Sequence, residues 1–119
     1  MSDREEHGKL IEREADLSEM LNAIESEGIF GIDLEFIPER SYYPLICLVQ
    51  VAVGDRVYLV DPIKVKQLSD LWKFVHNPDV IKIFHAGSQD LAIIYQHSGQ
   101  TPRRIFDTQI AAGFIGLGY

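Results

Sequence analysis

The chain has 119 residues, 46% hydrophobic and 24% charged, with a formal charge of −7; this is enough apolar content to build one compact domain. Its single cysteine, Cys47, excludes an internal disulfide framework and a cysteine-based zinc site and fits a reducing, cytoplasmic compartment. No apolar run approaches the roughly 20 residues that span a bilayer, and Met1 to Lys9 are too charged for a signal peptide, so a soluble chain with no membrane partner is expected.

The negative charge speaks mildly against a generic nucleic-acid binder, which presents basic surface to phosphates. Its distribution weakens that objection. Residues 1–40 carry 12 acidic and 4 basic side chains, a balance of −8, whereas residues 41–119 carry 6 and 7, a balance of +1. Acids gathered in one region can be neutralised by bound cations, so net charge leaves the partner open.

No internal repeat, low-complexity tract or linker divides the chain. Residues 1–8 read as a frayed tail and 9–119 as the domain. A short strand is expected at Lys9–Glu12. Leu17, Met20, Leu21 and Ile24 then recur at helical spacing, which predicts a helix over about Glu14–Ser26, ended by Gly28. Ile29–Ile37, Leu45–Val53 and Arg56–Val60 are rich in β-branched and aromatic residues, and Gly54-Asp55 is a two-residue hairpin signal, giving an antiparallel three-strand meander. Val65, Leu68, Leu71, Trp72 and Val75 mark a helix stopping before Asn77-Pro78, with Trp72 as a core anchor. Val80–Phe84 reads as an apolar strand, His85-Ala86-Gly87 as a turn, and Leu91, Ile94 and Tyr95 as a helix ending at Ser98-Gly99. Arg104–Phe106 is a short strand, followed by Asp107 as the N-cap of a helix through Ala112. Three strands followed by alternating strands and helices predict an α/β fold of the ribonuclease H-like kind, a mixed sheet of meander plus βα units.

Along Ile29–Ile37, Asp33 and Glu35 point to the same face, about 6.6 Å apart at roughly 3.3 Å per residue. They could converge on one or two divalent cations. Spacing alone equally fits acids that simply face solvent, and favours it. Two features point the other way: the strand is apolar at both ends, and like charges on a central strand need compensation, which Mg²⁺ or Mn²⁺ would supply. Asp90 follows a separate strand and a small-residue turn that lets backbones approach closely. In isolation it reads as a first-turn acid complementing the helix dipole.

Five segments read together change the balance. Gly31–Phe36, Tyr42–Gln50, Tyr58–Pro62, Lys82–Leu91 and Ile105–Ala111 resemble, in order and spacing, the ribonuclease D family of DEDD 3′–5′ exonucleases. The resemblance spans Lys9 to Tyr119. It implies that Asp33 and Glu35 are the two acids of the family's first motif, with Leu34 in place of the commoner Thr, and that Asp90 is the acid of its second. It further implies a two-metal hydrolysis of RNA or DNA from the 3′ end to nucleoside 5′-monophosphates. In that scheme Asp33 bridges both ions, Glu35 holds the hydrolytic ion and the terminal sugar, and Asp90 binds the second ion.

The family's third motif, Tyr-x-x-x-Asp, does not occur: Tyr42, Tyr43, Tyr58 and Tyr95 lead to Ile46, Cys47, Pro62 and Gly99. No acid follows Asp107, which aligns with the family's Phe-Asp-Thr segment. The fold is therefore expected to be truncated before that motif. Apolar surface left exposed by truncation would promote self-association.

Weaker assignments complete the list. His85 and Phe36 are substrate-contact candidates, although a strand-end histidine is commonly a hydrogen-bonded structural group and Phe36 alternates onto the core face. Tyr42, Tyr43 and Gln50 resemble family positions without a catalytic role, and Arg103 and Arg104 fit solvated surface. Competing readings are a non-catalytic interaction module that keeps the sheet, and a phosphatase of the haloacid dehalogenase type, for which the second acid should be Asp and no downstream signature is present.

Overall fold

The computed structural model describes residues 8–37, 45–85, 88–100 and 102–108. In chain order it holds β1 (Lys9–Ile11), a 3₁₀ turn (Glu14–Asp16), α1 (Leu17–Glu27), β2 (Ile29–Ile37), β3 (Leu45–Val53), β4 (Arg56–Val60), α2 (Ser69–His76), β5 (Ile81–Phe84), α3 (Ser88–Ser98) and β6 (Ile105–Asp107). The expected meander has the expected bounds. α1 ends on Gly28 at φ 71, the left-handed conformation in which glycine carries no Cβ penalty.

One six-stranded sheet forms in the order β1-β4-β3-β2-β5-β6. β2 pairs antiparallel with β3, and β3 with β4, the latter pair joined by the tight turn at Gly54-Asp55. β1 joins β4, β5 joins β2 and β6 joins β5 in parallel. Parallel neighbours need a long crossover, which α2 and α3 supply with their flanking loops, so the sheet is mixed. No helix among the described residues is long and apolar enough to cross a membrane.

Period-two alternation decides which face is covered. Phe30, Ile32 and Leu34 of β2 are buried with Val49, Val51, Val53, Tyr58, Val60 and Phe84 of the neighbouring strands. Met20 and Ile24 from α1, Leu71 and Val75 from α2, and Ile93 and Ile94 from α3 join the same cluster. All three helices therefore cover that face, and each large side chain buried there contributes about 1.5–3 kcal/mol of transfer free energy. The opposite face carries Asp33, Glu35, Ile29 and Phe106, the last 52% exposed.

Four sequence expectations need correction. α2 begins at Ser69 rather than near Val65. Val65 is buried, but from a turn: the Asp61 carboxylate accepts the N–H groups of Ile63 and Lys64, and the Asp61 carbonyl accepts that of Val65. An Asp that binds the backbone two and three residues on competes with helix. In α3, Tyr95 is 55% exposed while Ile93 and Ile94 are buried, so the apolar stripe is narrower than the spacing suggested. Arg104 takes a left-handed φ of 58, which no strand continues through, so β6 starts at Ile105 and includes Asp107. Trp72 is only partly buried at the edge of the core. Beyond Thr108, the expected capped helix lies outside the described residues.

A further correction concerns β5. The sequence reads it as plainly apolar, yet Lys82 lies on the core face, paired with Phe30 and Ile105 across the sheet and 0% exposed. Its ammonium donates at 2.6 Å to the carbonyls of both Asn77 and Val80, fastening the turn that leads into the strand. Burial, reinforced by the Arg104 charge, pushes this lysine down to about 8.

Candidate active site

β2 is an interior strand, but β5 pairs with it only over Ile29–Gly31. Beyond Gly31 the edge facing β5 lacks a strand partner, and a buried N–H there needs another acceptor. α3 begins beside this gap. The Leu34 N–H donates to Asp90 Oδ2 at 3.2 Å, so an acid 56 residues away in sequence takes the place of the missing strand. Asp90 is accordingly only 7% exposed.

Asp33 and Glu35 flank Leu34 on the opposite face from its side chain, and both are exposed. A β-bulge between Glu35 and Phe36 shifts the register with β3 by one residue just past them, pairing resuming at Phe36 and Ile46, a feature that re-aims side chains. Asp33 and Glu35 lie near enough for their carboxylates to act on that of Asp90. Burial pushes Asp90 up to about 6; the Leu34 N–H opposes this, and the charges of Asp33 and Glu35 add to it.

The structure thus brings the acids of two distant segments together beside β2, past the point where its pairing with β5 ends. Carboxylate oxygens are the donors that hard cations such as Mg²⁺ and Mn²⁺ take. A carboxyl driven towards its protonated form by burial and by two neighbouring acids is one whose charge a bound cation would compensate. Among the described residues no three acidic, histidine or cysteine side chains already stand as a closed cation cage. The acids fit such an ion in chemistry and proximity, and a cage would need a small convergence of side chains or a further donor.

His85 follows β5 and is exposed; its Nδ1 lies 2.7 Å from Thr108 Oγ1, and the Thr108 hydroxyl donates to the Phe84 carbonyl at 3.2 Å. Phe36 packs partly buried against the core, as its alternation suggested. A concavity of about 420 Å³ on the open sheet face is lined by Asp33, Gln50, His85 and Thr108 above small and aliphatic residues including Gly31 and Ala52. A larger one of about 610 Å³ lies between α2 and the end of α3 and contains none of the three acids. Tyr42 and Tyr43 lie outside the described residues. Sequence reading missed the Leu34 N–H and Thr108, and it set Gln50 aside; strand register is the signal that recovers Gln50 and Thr108.

Residues 9–119 match the family model described as 3′–5′ exonuclease. The chain belongs to the 3′–5′ exonuclease family. Within that family its similarity runs to ribonuclease D: it is 42% identical over 108 residues to ribonuclease D of Desulfotalea psychrophila, covering 90% of this chain and 29% of that protein. It is 44% identical over 113 residues to ribonuclease D of Sphingobium indicum, covering 92% and 29%. The crystal structure of Escherichia coli RNase D superimposes with a TM-score of 0.83 at 32% identity, covering 92% of this chain and 29% of that one. The chain therefore spans about 29% of the length of the relatives it matches.

Proposed function

We propose that this chain forms the front of a metal-dependent 3′–5′ exonuclease domain in which Asp33, Glu35 and Asp90 hold Mg²⁺ or Mn²⁺. The observation that carries the reading is the pinning of Asp90 on the Leu34 N–H beside Asp33, which gathers acids from two distant segments and raises Asp90. A bound pair of such ions supplies an activated water and neutralises the scissile phosphate, leaving a nucleoside 5′-monophosphate. The protein's part is to fix Asp90 through the β2 backbone, and to keep Asp33 and Glu35 on one rigid strand at the rim of the sheet. RNA is the favoured substrate, because the Escherichia coli relative is an exoribonuclease involved in structured RNA processing; single-stranded DNA is the alternative.

Two observations favour a second reading, a catalytically incomplete module that needs further residues. Tyr-x-x-x-Asp is absent from the sequence, and the described acids form no closed cage. The open sheet face with Ile29 and Phe106 also makes self-association the expected state of this chain in solution.

The deciding experiment incubates the purified chain with Mn²⁺ and 5′-labelled single-stranded RNA, with a DNA of the same sequence in parallel. A ladder shortening from the 3′ end, lost in Asp33→Ala, supports the enzyme. Intact RNA with retained Mn²⁺ binding supports the incomplete module. Shortening that survives Asp33→Ala refutes the assigned site.

A further inference from the structure

Strand register and a shared concavity gather four polar residues on one face of the sheet, among them the Asp33 that the proposed function places at the metal site. Gln50 of β3 is paired directly with Asp33 of β2. On the other side the last strand pair is Gly31 with Ile83; His85, two residues past Ile83 and beyond the end of that pairing, lines the same concavity as Asp33. Phe84 is in turn paired with Asp107, so Thr108 comes level with His85, and their 2.7 Å contact shows that the register persists there. All four residues line the same concavity of about 420 Å³, on the face where the rest of the lining is largely aliphatic, glycine or alanine.

Hydrogen-bond chemistry fixes the outer end of this group. A threonine hydroxyl has one proton, and that of Thr108 goes to the Phe84 carbonyl. With that proton on the Phe84 carbonyl the hydroxyl accepts from His85, the arrangement in which the imidazole carries its proton on Nδ1. On the inner side the Gln50 amide has two N–H donors within reach of a directly opposite residue, since Cβ atoms of such pairs lie about 4.5–5.5 Å apart.

We propose that Gln50 and His85, the latter pinned by Thr108, are positioning residues for Asp33. They flank its carboxylate from the two neighbouring strands and narrow its rotamers to the one that meets Asp90. This inference rests on the metal-binding reading of Asp33, and it assigns Gln50, His85 and Thr108 an outer role without contact with the cation. Loss of such an outer partner commonly weakens metal affinity by about 10–100-fold.

Calorimetric titration of Mn²⁺ into the full chain tests this, with circular dichroism confirming that each variant folds. Gln50→Ala and His85→Ala should each weaken binding about 10-fold. Thr108→Val should weaken it less and add nothing on top of His85→Ala, because Thr108 acts only through the ring. Thr108→Ser, which keeps the hydroxyl, should restore full affinity. Unchanged affinity in Gln50→Ala and His85→Ala, with binding abolished in Asp33→Ala, overturns the positioning role while leaving the metal site intact. Absence of Mn²⁺ binding in the unmodified chain overturns the metal-site reading instead. The positioning role is then judged by the ¹⁵N shifts of the His85 ring, where a neutral Nδ1–H form that collapses in Thr108→Val supports it and a neutral Nε2–H form overturns it.

Discussion

Asp90→Asn is the substitution with the sharpest thermodynamic signature. The amide oxygen can still accept from the Leu34 N–H, so the local backbone keeps its partner while the titratable group is removed. In the unmodified chain burial and the neighbouring acids raise Asp90 from 3.8 to about 6. The sign follows from proton counting: between those values the folded state keeps a proton that the unfolded state has lost, so stability falls as pH rises and levels off above about 6. At 1.36 kcal/mol per pH unit the full difference approaches about 3 kcal/mol. Urea unfolding with EDTA, from about pH 4 to about pH 8, should therefore show the variant gaining up to about 3 kcal/mol on the parent, with contributions from other groups cancelling between the two. Mn²⁺ at neutral pH should reverse the order, because it stabilises the parent and has little to hold in the variant. A stability difference that stays flat across this pH range would refute the reasoning that burial and the neighbouring acids raise Asp90 in the fold.

Lys82 titrates with the opposite sign. Its folded value of about 8 lies below the usual 10.5, so the parent should become more stable as pH rises through that interval, and Lys82→Met should abolish the rise in thermal melts. Gly28→Ala should lower stability by about 1 kcal/mol without changing Mn²⁺ affinity; the cause is the left-handed φ of 71, as nothing lies within 4 Å of the added methyl. Sedimentation should show concentration-dependent association through the open sheet face, weakened by Phe106→Ser; a clean monomer at all concentrations would remove that surface from consideration.

What the sequence could reveal depended on whether a feature was periodic. β2, β3 and β4 were legible to the residue because each alternates over its length and Gly54-Asp55 sets the hairpin. The pairing of Asp33 and Glu35 on one face followed from the same period of two. Val65 misled because burial from an Asx-stabilised turn leaves the same apolar trace as burial from a helix. Lys82 was hidden because its two acceptors are backbone carbonyls, which carry no residue identity. Asp90 was visible only as a helix-dipole acid or through family resemblance, since its partner is the backbone N–H of a residue in another strand. The gathering of Gln50, Asp33 and His85 on one concavity needed the arrangement of the strands, which no local pattern specifies.

Paramagnetic line broadening by Mn²⁺ in the ¹⁵N-labelled chain tests the metal site most directly, because it locates the ion by distance. Substoichiometric Mn²⁺ should first bleach the amides of Asp33, Leu34, Glu35 and Asp90 and spare the acidic stretch Glu12–Asp16. Selective bleaching of Glu12–Asp16, with Leu34 and Asp90 untouched, would contradict the assignment of a cation site to these three carboxylates.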